Sequence, residues 1–288
     1  MLTQVIKQFG LQITNIDEVD DSHSSMVYKC RLPESDHVYI KIPYTTLKYQ
    51  RELEAYQILQ DNIPIPKLLD YWPGDEEIPG AFLLSELEGR PLSARDSRSI
   101  AYQVGVIHAQ MHNIPPPAHL LAGIQNEFPN WSSFIDKQFH SFAQDVKTVL
   151  DESTYHLALE KFENIKSQLP EPDGPSFVHM DFRPANIIVD NDKVTGIIDF
   201  ESVRFGSTEI DFTKLYRDFL SYDISLLENY KTGYSSVRPL IDLEAVLPFY
   251  RFTDAFNSIG WSIRRGIEKN KHFFEANVTM LNHFLKKN

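Results

Sequence analysis

The chain has 288 residues, which is enough for two domains or lobes with a sizeable core. Hydrophobic residues make up 42% of it and charged residues 24%, as is usual for soluble globular proteins. The formal net charge of -12 argues against non-specific nucleic-acid binding, which needs a basic surface to neutralise phosphates. The same charge is compatible with a cationic small-molecule substrate, although an acidic surface also serves solubility alone.

The cysteine content and the start of the chain bear on the compartment. Cys30 is the single cysteine and cannot form an internal disulfide, which is typical of proteins in a reducing environment. The first residues, MLTQVIKQFGLQI, contain no long apolar core and no small-residue cleavage site, so no signal peptide is predicted. No apolar run approaches the roughly 20 residues that span a bilayer. We therefore expect a cytoplasmic protein without a membrane partner, with Cys30 as a core residue.

The first part of the chain is predicted to form a small sheet with one main helix. Alternation typical of strands occurs in LQITNIDEV, SMVYKCRL and VYIKI, and two more strands are predicted in IPIPKLLDYW and GAFLLSELEG. TLKYQRELEAYQILQ, between these groups, has the apolar spacing of a helix. In VYIKI, Val38, Ile40 and Ile42 share one face of the strand. Lys41 therefore projects from the opposite face.

The pattern becomes helical beyond Gly89. Apolar residues recur at helical spacing in 99–112, 131–150 and 154–169, and three or more helices close the chain. VHMDFRPANIIVDN and KVTGIIDFESVRFG interrupt these helices as two short strands around the turn DNDK. The sequence thus predicts a strand-rich lobe at 1–87 and a larger helical lobe at 88–288, which are connected by a hinge at 85–89.

Polar side chains surround the predicted hairpin. Asn186 follows Asp181 by five residues, and Asp199 comes at the end of the apolar run in the second strand. If the strands pair around DNDK, Asn186 and Asp199 reach the same end of the hairpin, with Asp181 on the loop leading into it. Two carboxylates about 4 Å apart repel by about 4 kcal/mol at an effective dielectric of 20, so they call for a cation or a shared proton. An all-oxygen ligand set suits Mg²⁺.

The same residues resemble those of a known family. HMDFRPAN is similar to the catalytic loop of the kinase fold, and IIDFE is similar to its metal-binding segment. Because Asp-Phe-Glu stands where protein kinases have Asp-Phe-Gly, the chain resembles the aminoglycoside phosphotransferase and choline kinase-like small-molecule kinases. Further matches in order are Lys41, Glu52 in QRELEAYQIL, FLLSELEGRPL, HAQMHNIPP and STEIDFTKL, and the resemblance covers about residues 15 to 220. It implies an α+β, bilobal, protein-kinase-like fold with a small antiparallel sheet in the N-lobe.

The resemblance also implies a catalytic residue and a metal site. Asp181 would accept or orient the proton of the acceptor hydroxyl as it attacks the terminal phosphate. Asn186 and Asp199 would hold Mg²⁺, which bridges phosphate oxygens and neutralises charge in the transition state.

The nucleotide contacts that the resemblance implies lie in the N-lobe. Lys41 would contact the α and β phosphates, positioned by an ion pair with Glu52. Glu54 competes for that pairing, and Glu52 is favoured because RE before an apolar helical run matches the family pattern. Backbone groups of Ser85 and Leu87 in the hinge would hydrogen-bond the adenine edge.

The expected phosphate loop departs from the protein-kinase pattern. DDSHSSMVY stands at its position and contains no glycine, so the glycine-rich phosphate cradle is missing. Ser22, Ser24 and Ser25 would offer hydroxyl and backbone donors to phosphate instead. The co-substrate is expected to be ATP or GTP, and the sequence does not choose between them.

Other ionisable residues have simpler interpretations. His108 and His112 are four residues apart on one helix, a spacing that can bind zinc, but no glutamate follows His108, and a structural role is favoured. His179 is expected to tie the loop to neighbouring backbone, and Asp211 to be a structural anchor. Four more aspartates are candidates for the wall of a cationic-substrate pocket, namely Asp218, Asp223, Asp242 and Asp254. Most of them are expected to be ordinary surface charges.

The predicted function is transfer of the terminal phosphate of ATP or GTP to a hydroxyl of a small polar acceptor. Aminoglycosides, choline-like amines, other antibiotics, sugars and amino-acid alcohols stay open as acceptors, and the resemblance brings in antibiotic resistance as a role. A protein kinase is disfavoured because the glycine loop, Asp-Phe-Gly and Ala-Pro-Glu are missing. An inactive nucleotide-binding protein is disfavoured because Lys41, Asp181, Asn186 and Asp199 are all present. The oligomeric state is not predicted.

Overall fold

A computed structural model of the protein describes residues 1–19, 25–34, 36–119 and 121–286. The first part of the chain forms one antiparallel sheet flanked by two helices, with strands in the order β1-β2-β3-β5-β4. Its elements are α1 (Leu2–Gln8), β1 (Asn15–Glu18), β2 (Ser25–Arg31), β3 (His37–Pro43), α2 (Thr46–Leu59), β4 (Leu68–Trp72) and β5 (Ala81–Ser85).

The two faces of this sheet bury different residues because side chains alternate along each strand. Val38, Ile40 and Ile42 of β3 pack with Val5 of α1 on one face, and Cys30 is a buried core residue of the same cluster. Lys41 lies between them in sequence and faces α2 on the other side, as strand alternation predicts. The sheet therefore carries a buried lysine towards a helix.

The remainder of the chain is mostly helical, with short strands. Its elements are β6 (Arg90–Pro91), α3 (Arg98–His112), α4 (Trp131–Lys147), α5 (Glu152–Lys166), β7 (Ser176–Val178), β8 (Ile187–Asp190), β9 (Lys193–Ile197), β10 (Arg204–Gly206), α6 (Glu209–Asp218), α7 (Ile224–Ser235), α8 (Leu243–Arg265) and α9 (Lys271–Lys286). A small antiparallel sheet followed by helices confirms the predicted α+β, bilobal, protein-kinase-like class.

Some element limits differ from the sequence-based expectation. The predicted strand LQITNIDEV is only four residues long in the structure, and all four are exposed. Of the helices predicted at 131–150 and 154–169, α4 ends at Lys147 and α5 begins at Glu152. Asp151 explains that second limit, because its side chain accepts a hydrogen bond from the Thr154 N–H and caps the helix.

Aromatic side chains join elements within two hydrophobic clusters. The Tyr56 ring of α2 lies 5.8 Å from Phe82 of β5 and 5.7 Å from Phe200, which directly follows Asp199. In the helical part, Phe139 stacks on Phe162 at 3.9 Å and on Phe256 at 4.1 Å, which ties α4, α5 and α8 together. The contact between Tyr56 and Phe200 places the chain around Asp199 against α2.

Helices α3 and α7 approach each other closely because each has a glycine at the contact. A Cβ atom on Gly105 would lie 2.2 Å from the Tyr230 carbonyl oxygen, and one on Gly233 would lie 2.0 Å from that of Tyr102. Larger residues would push the two helices apart. The close approach allows hydrogen bonds between His108 and Tyr230 that are described below. No described helix is long and apolar enough to cross a membrane.

Candidate active site

A tight hairpin sets the geometry of the site. Strands β8 and β9 pair antiparallel, with Ile187 opposite Ile197, around a turn in which Asn191 and Asp192 have φ of 44° and 61°. Two consecutive residues with positive φ favour a two-residue hairpin whose twist matches that of the strands. Beyond the paired strands, the Ile198 N–H donates to the Asn186 carbonyl at 3.0 Å. Asn186 and Asp199, the residue after Ile198, therefore lie at the same end of the hairpin.

Asp181 sits beside Asn186 in a cluster of donors. The Asn186 Nδ2 donates to the Asp181 carbonyl at 2.9 Å and to its Oδ2 at 3.1 Å. The Lys214 ammonium donates to Oδ1 at 2.6 Å, and the Arg183 Nε donates to Oδ2 at 3.1 Å. Burial raises the pKa of Asp181, but the Lys214 and Arg183 charges more than offset this and hold it below the usual range. The carboxylate is therefore held in its ionised form, in which both oxygens accept hydrogen bonds.

Lys41 joins the sheet to the hairpin through two carboxylates. Its Nζ lies 2.8 Å from Glu52 Oε1 on α2 and 2.7 Å from Asp199 Oδ1. Burial would lower the pKa of Lys41, but the carboxylates of Asp199 and Glu52 outweigh it and raise the pKa well above its usual value. The structure thus brings together all five residues that the sequence analysis placed at the centre of the site: Lys41, Glu52, Asp181, Asn186 and Asp199.

Glu54, the alternative partner for Lys41, contacts a different part of the chain. Its carboxylate accepts the N–H groups of three consecutive residues, Ala122, Gly123 and Ile124, at 2.7 to 3.0 Å. The Glu54 side chain therefore anchors the loop before α4, and Glu52 pairs with Lys41.

His179 and Asp211 hold the loop that carries Asp181. Asp211 accepts the N–H of His179 at 2.5 Å and that of Met180 at 2.7 Å, and Met180 has a φ of 68°. The Asp181 N–H lies 3.3 Å from His179 Nδ1, so Nδ1 is the acceptor and Nε2 carries the hydrogen that it donates to the Ile198 carbonyl at 3.0 Å. Both residues thus have the supporting contacts that the sequence analysis expected.

The two histidines of α3 lie under Asp211. The Nε2 atoms of His108 and His112 are 3.8 and 3.4 Å from Asp211 Oδ2, and the ligand atoms of the three residues lie within 4.8 Å of one another. Their Nδ1 atoms contact Tyr230 Oη at 2.6 Å and Tyr234 Oη at 2.8 Å. Burial lowers the pKa of His108 to about 3. These contacts, with the two backbone N–H groups on Asp211, make the cluster a neutral-histidine support for an ionised aspartate.

Three of the residues predicted in the hinge and the phosphate loop have contacts within the chain. The Ser85 N–H donates to the Lys67 carbonyl at 3.0 Å, and the Ser85 Oγ accepts the Lys67 N–H at 2.9 Å, so any adenine contact falls to the Ser85 carbonyl. The Leu87 side chain packs against Gly196 of β9. Ser25 is buried at the start of β2, opposite Pro43. Ser22 and Ser24 lie outside the described residues.

The four further aspartates have partners within the chain. Asp223 and Asp242 cap α7 and α8, accepting N–H groups at 2.8 and 2.9 Å. Asp218 and Asp254 both bind the Arg217 guanidinium, and Asp218 Oδ1 lies 2.6 Å from its Nε. Each of these four carboxylates therefore has a structural contact within the chain.

Sequence reasoning missed the two cations at Asp181. Lys214 lies three residues after Asp211 on α6, a spacing that places both side chains on one face of a helix. That spacing could have been read from EIDFTKL once Asp211 had been assigned as the anchor of the loop. Arg183 lies two residues after Asp181 in the quoted motif itself.

Solved structures of antibiotic kinases share this fold. The chain is similar to the GDP and kanamycin complex of APH(2″)-IIIa, with a TM-score of 0.79 and 14% identity over 100% of this chain and 98% of that one. It is also similar to macrolide 2′-phosphotransferase MphH from Brachybacterium faecium, with a TM-score of 0.70 and 15% identity over 98% of this chain and 96% of that one. A search of the curated proteins finds no match.

A family model assigns the chain more specifically than these structures do. The model described as the phosphotransferase enzyme family matches residues 19–249, which include β2 to β5 of the sheet, the hairpin and most of the helical part. The chain therefore belongs to the phosphotransferase enzyme family and is a small-molecule kinase with a hydroxyl group as acceptor.

Proposed function

We propose that the protein transfers the terminal phosphate of ATP or GTP to a hydroxyl of a small polar acceptor, with Asp181 as the residue that receives or orients the hydroxyl proton. One observation carries the proposal: Asn186 contacts Asp181, Lys41 contacts both Asp199 and Glu52, and the Ile198 N–H beside Asp199 donates to the Asn186 carbonyl, which brings the two groups of contacts to the same end of the hairpin. This arrangement links an ionised carboxylate to a cation on the opposite lobe, across the space where a phosphate would pass. The similar structures include complexes with GDP and kanamycin and with ADP and hygromycin B.

The donor atoms at the end of the hairpin suit magnesium. Because the Asn186 Nδ2 donates to Asp181, the amide is oriented with Oδ1 as its ligand atom. Asp199 uses Oδ1 for Lys41 and adds carboxylate oxygen to the set. Amide and carboxylate oxygens, completed by waters and phosphates, are the ligands that Mg²⁺ takes in such sites. Asn186 and Asp199 would hold the ion, which neutralises charge on the phosphates when bound.

The nucleotide is proposed to lie between the lobes. Lys41, fixed by Glu52, would contact its α and β phosphates. The Ser85 carbonyl and Leu87 backbone would meet the adenine edge or its guanine counterpart, and the start of β2 at Ser25 would approach the phosphates. The proposed lobes are 1–87 and 88–288 with a hinge at 85–89, and the proposed location is the cytoplasm.

The chain's own groups account for the chemical step. Asp181 accepts a hydrogen bond from the acceptor hydroxyl, which orients the oxygen for attack in line with the leaving group. Asp211 and His179 fix the backbone N–H groups of His179, Met180 and Asp181, so little reorganisation is needed at the moment of transfer. Lys41 stabilises charge on the departing nucleoside diphosphate.

The proposal is tested by phosphate transfer from ATP and from GTP, with magnesium, to a panel of hydroxylated amines, sugars, hydroxy acids and macrolides. Asp181→Asn keeps the side-chain size and is expected to bind nucleotide while lowering turnover by about 10² to 10⁴. Asp61→Asn, at an exposed position, is the matched control and should leave turnover unchanged. Absence of both nucleotide binding and transfer in the wild-type protein would refute the proposal. Unchanged turnover in Asp181→Asn would refute the role of Asp181 alone.

A further inference from the structure

The two oxygens of Asp181 are already occupied by donors of the chain. Oδ2 accepts from Arg183 and Asn186, each at 3.1 Å, and Oδ1 accepts from Lys214 at 2.6 Å. A carboxylate oxygen can accept two hydrogen bonds. An acceptor hydroxyl that reaches Oδ1 must therefore arrive beside the Lys214 ammonium.

Lys214 reaches this position from α6 and stays accessible. The exposed fractions of the side chains are 31% for Lys214, 23% for Asp181 and 33% for Asp199. The Lys214 ammonium contacts Asp181 directly, and both side chains are partly exposed. A molecule placed for phosphate transfer would therefore meet a cation next to the reacting group.

The neighbouring carboxylates are paired within the chain. Asp218 on α6 and Asp254 on α8 both bind Arg217, one helical turn after Lys214. A polyamine acceptor would have to compete with Arg217 for these carboxylates, and an ammonium group placed against Asp181 would be repelled by Lys214. The contact of Lys214 with Asp181 thus disfavours a cationic group directly beside the reacting hydroxyl.

On the basis of the proposed function, we propose that the acceptor carries an anionic group, a carboxylate or a phosphate, close to the hydroxyl that is phosphorylated, and that Lys214 binds this group. Because Lys214 Nζ and Asp181 Oδ1 are 2.6 Å apart, an acceptor that contacts both needs its hydroxyl and its anionic oxygen on the same or neighbouring carbons. This spacing fits hydroxy acids, sugar acids and sugar phosphates.

The proposed binding mode is consistent with the transfer step. The hydroxyl oxygen forms a bond to the terminal phosphorus, the bond to the bridging oxygen breaks, and the nucleoside diphosphate leaves with that electron pair. The hydroxyl proton passes to Asp181 Oδ1. Lys214, turned towards the acceptor's anion, no longer competes with the hydroxyl for that oxygen.

A matched set of three-carbon acceptors tests the proposal. Glycerate, glycerol and 3-amino-1,2-propanediol share a carbon chain with adjacent hydroxyls and differ in charge, and glucuronate, glucose and glucosamine repeat the comparison on a ring. Transfer is measured with magnesium as nucleoside diphosphate formed above the rate without acceptor. We expect kcat/KM to be at least about ten-fold higher for the anionic member than for the amine of each set, the scale of one favourable charged contact.

Substitutions at Lys214 separate its role from a general effect on the site. Lys214→Met should remove the preference by lowering kcat/KM for the anion more than for glycerol, while Lys214→Arg should retain it. Lys231→Met removes an exposed ammonium that pairs with Glu228 on α7, and it should leave the preference intact.

The possible results distinguish this inference from the function on which it rests. Equal or higher kcat/KM for the amines in the wild-type protein would overturn the inference and leave the phosphotransferase proposal standing. An equal loss for all three acceptors in Lys214→Met would also overturn it, because it would place the ammonium on the transferred phosphate. Absence of nucleotide binding and of any hydrolysis would instead refute the proposed function.

Discussion

At the scale of single residues, the site depends on buried groups that are held in one protonation state. His108 is fully buried, stacks on Phe182 with ring centroids 3.9 Å apart, and contacts the Tyr230 hydroxyl. Asp211 stays ionised above it, because contacts with His108 and His112 and two backbone N–H groups compensate for its burial. A neutral histidine below a charged aspartate is therefore part of what fixes the loop before Asp181.

This arrangement predicts how stability depends on pH. The pKa of His108 is lowered from 6.5 to about 3 by burial, so the unfolded chain binds a proton that the folded chain does not between these values. The free energy of unfolding should fall as pH decreases through this window, with His108 contributing about 2 kcal/mol between pH 7 and pH 5. Denaturant unfolding at a series of pH values measures the slope.

His108→Asn is the variant for that measurement, since its amide can replace Nδ1 towards Tyr230. The slope of unfolding free energy against pH should become smaller by up to about 1.4 kcal/mol per pH unit, the value for one proton. His156, an exposed histidine of α5, gives the control variant His156→Asn, whose slope should match that of the wild-type protein. An unchanged slope in His108→Asn would show that His108 is not the group whose charging opposes folding.

At the scale of elements, α2 is positioned by contacts at several points along its length. Glu52 meets Lys41 on the sheet, Arg51 donates to the Gly123 carbonyl at 3.1 Å and the Glu201 carbonyl at 3.0 Å, and Glu54 binds three N–H groups of the loop before α4. The helix therefore connects the sheet to both the hairpin segment and the helical part.

Removing the Glu54 contacts should weaken this connection. Glu54→Ala leaves three N–H groups without their carboxylate, and hydrogen bonds to charged groups are worth about 1.5 to 3 kcal/mol. We expect the free energy of unfolding to fall by about that amount in urea, while Glu160→Ala at an exposed position of α5 should change it by less than about 0.5 kcal/mol. Equal stability of the two variants would mean that the loop is held by other contacts.

The sequence predicted the elements that depend on local pattern and missed those that depend on distant pairing. The hairpin follows from two apolar runs around DNDK, and the alternation of β3 places Lys41 correctly. The pairing of β10 with β7, with Phe205 opposite Phe177, joins segments 28 residues apart and has no local signal. The approach of Lys214 to Asp181 likewise results from the packing of α6 beneath the loop, which periodicity alone does not specify.

At the scale of the whole molecule, the two lobes meet at a charged contact where a nucleotide is proposed to bind. Lys41 of the sheet and Asp199 of the hairpin segment are 2.7 Å apart, and the Tyr56 to Phe200 contact lies behind them. The family assignment and the predicted fold agree on this arrangement, since the family model spans both lobes. Binding of the nucleotide and magnesium between the lobes should therefore raise the melting temperature of the whole protein.

A ligand that binds only the folded state stabilises it, by about 2.7 kcal/mol at 100 times its dissociation constant. For a chain of this size we expect ATP or GTP with magnesium to raise Tm by about 5 °C, and the nucleotide without magnesium to raise it less. Asp199→Asn should lose the increment that magnesium adds, because a carboxylate ligand is removed, whereas Asp36→Asn, at an exposed position, should keep it. A magnesium increment that persists in Asp199→Asn would place the metal on other residues, and the absence of any nucleotide-dependent shift in the wild-type protein would contradict binding between the lobes.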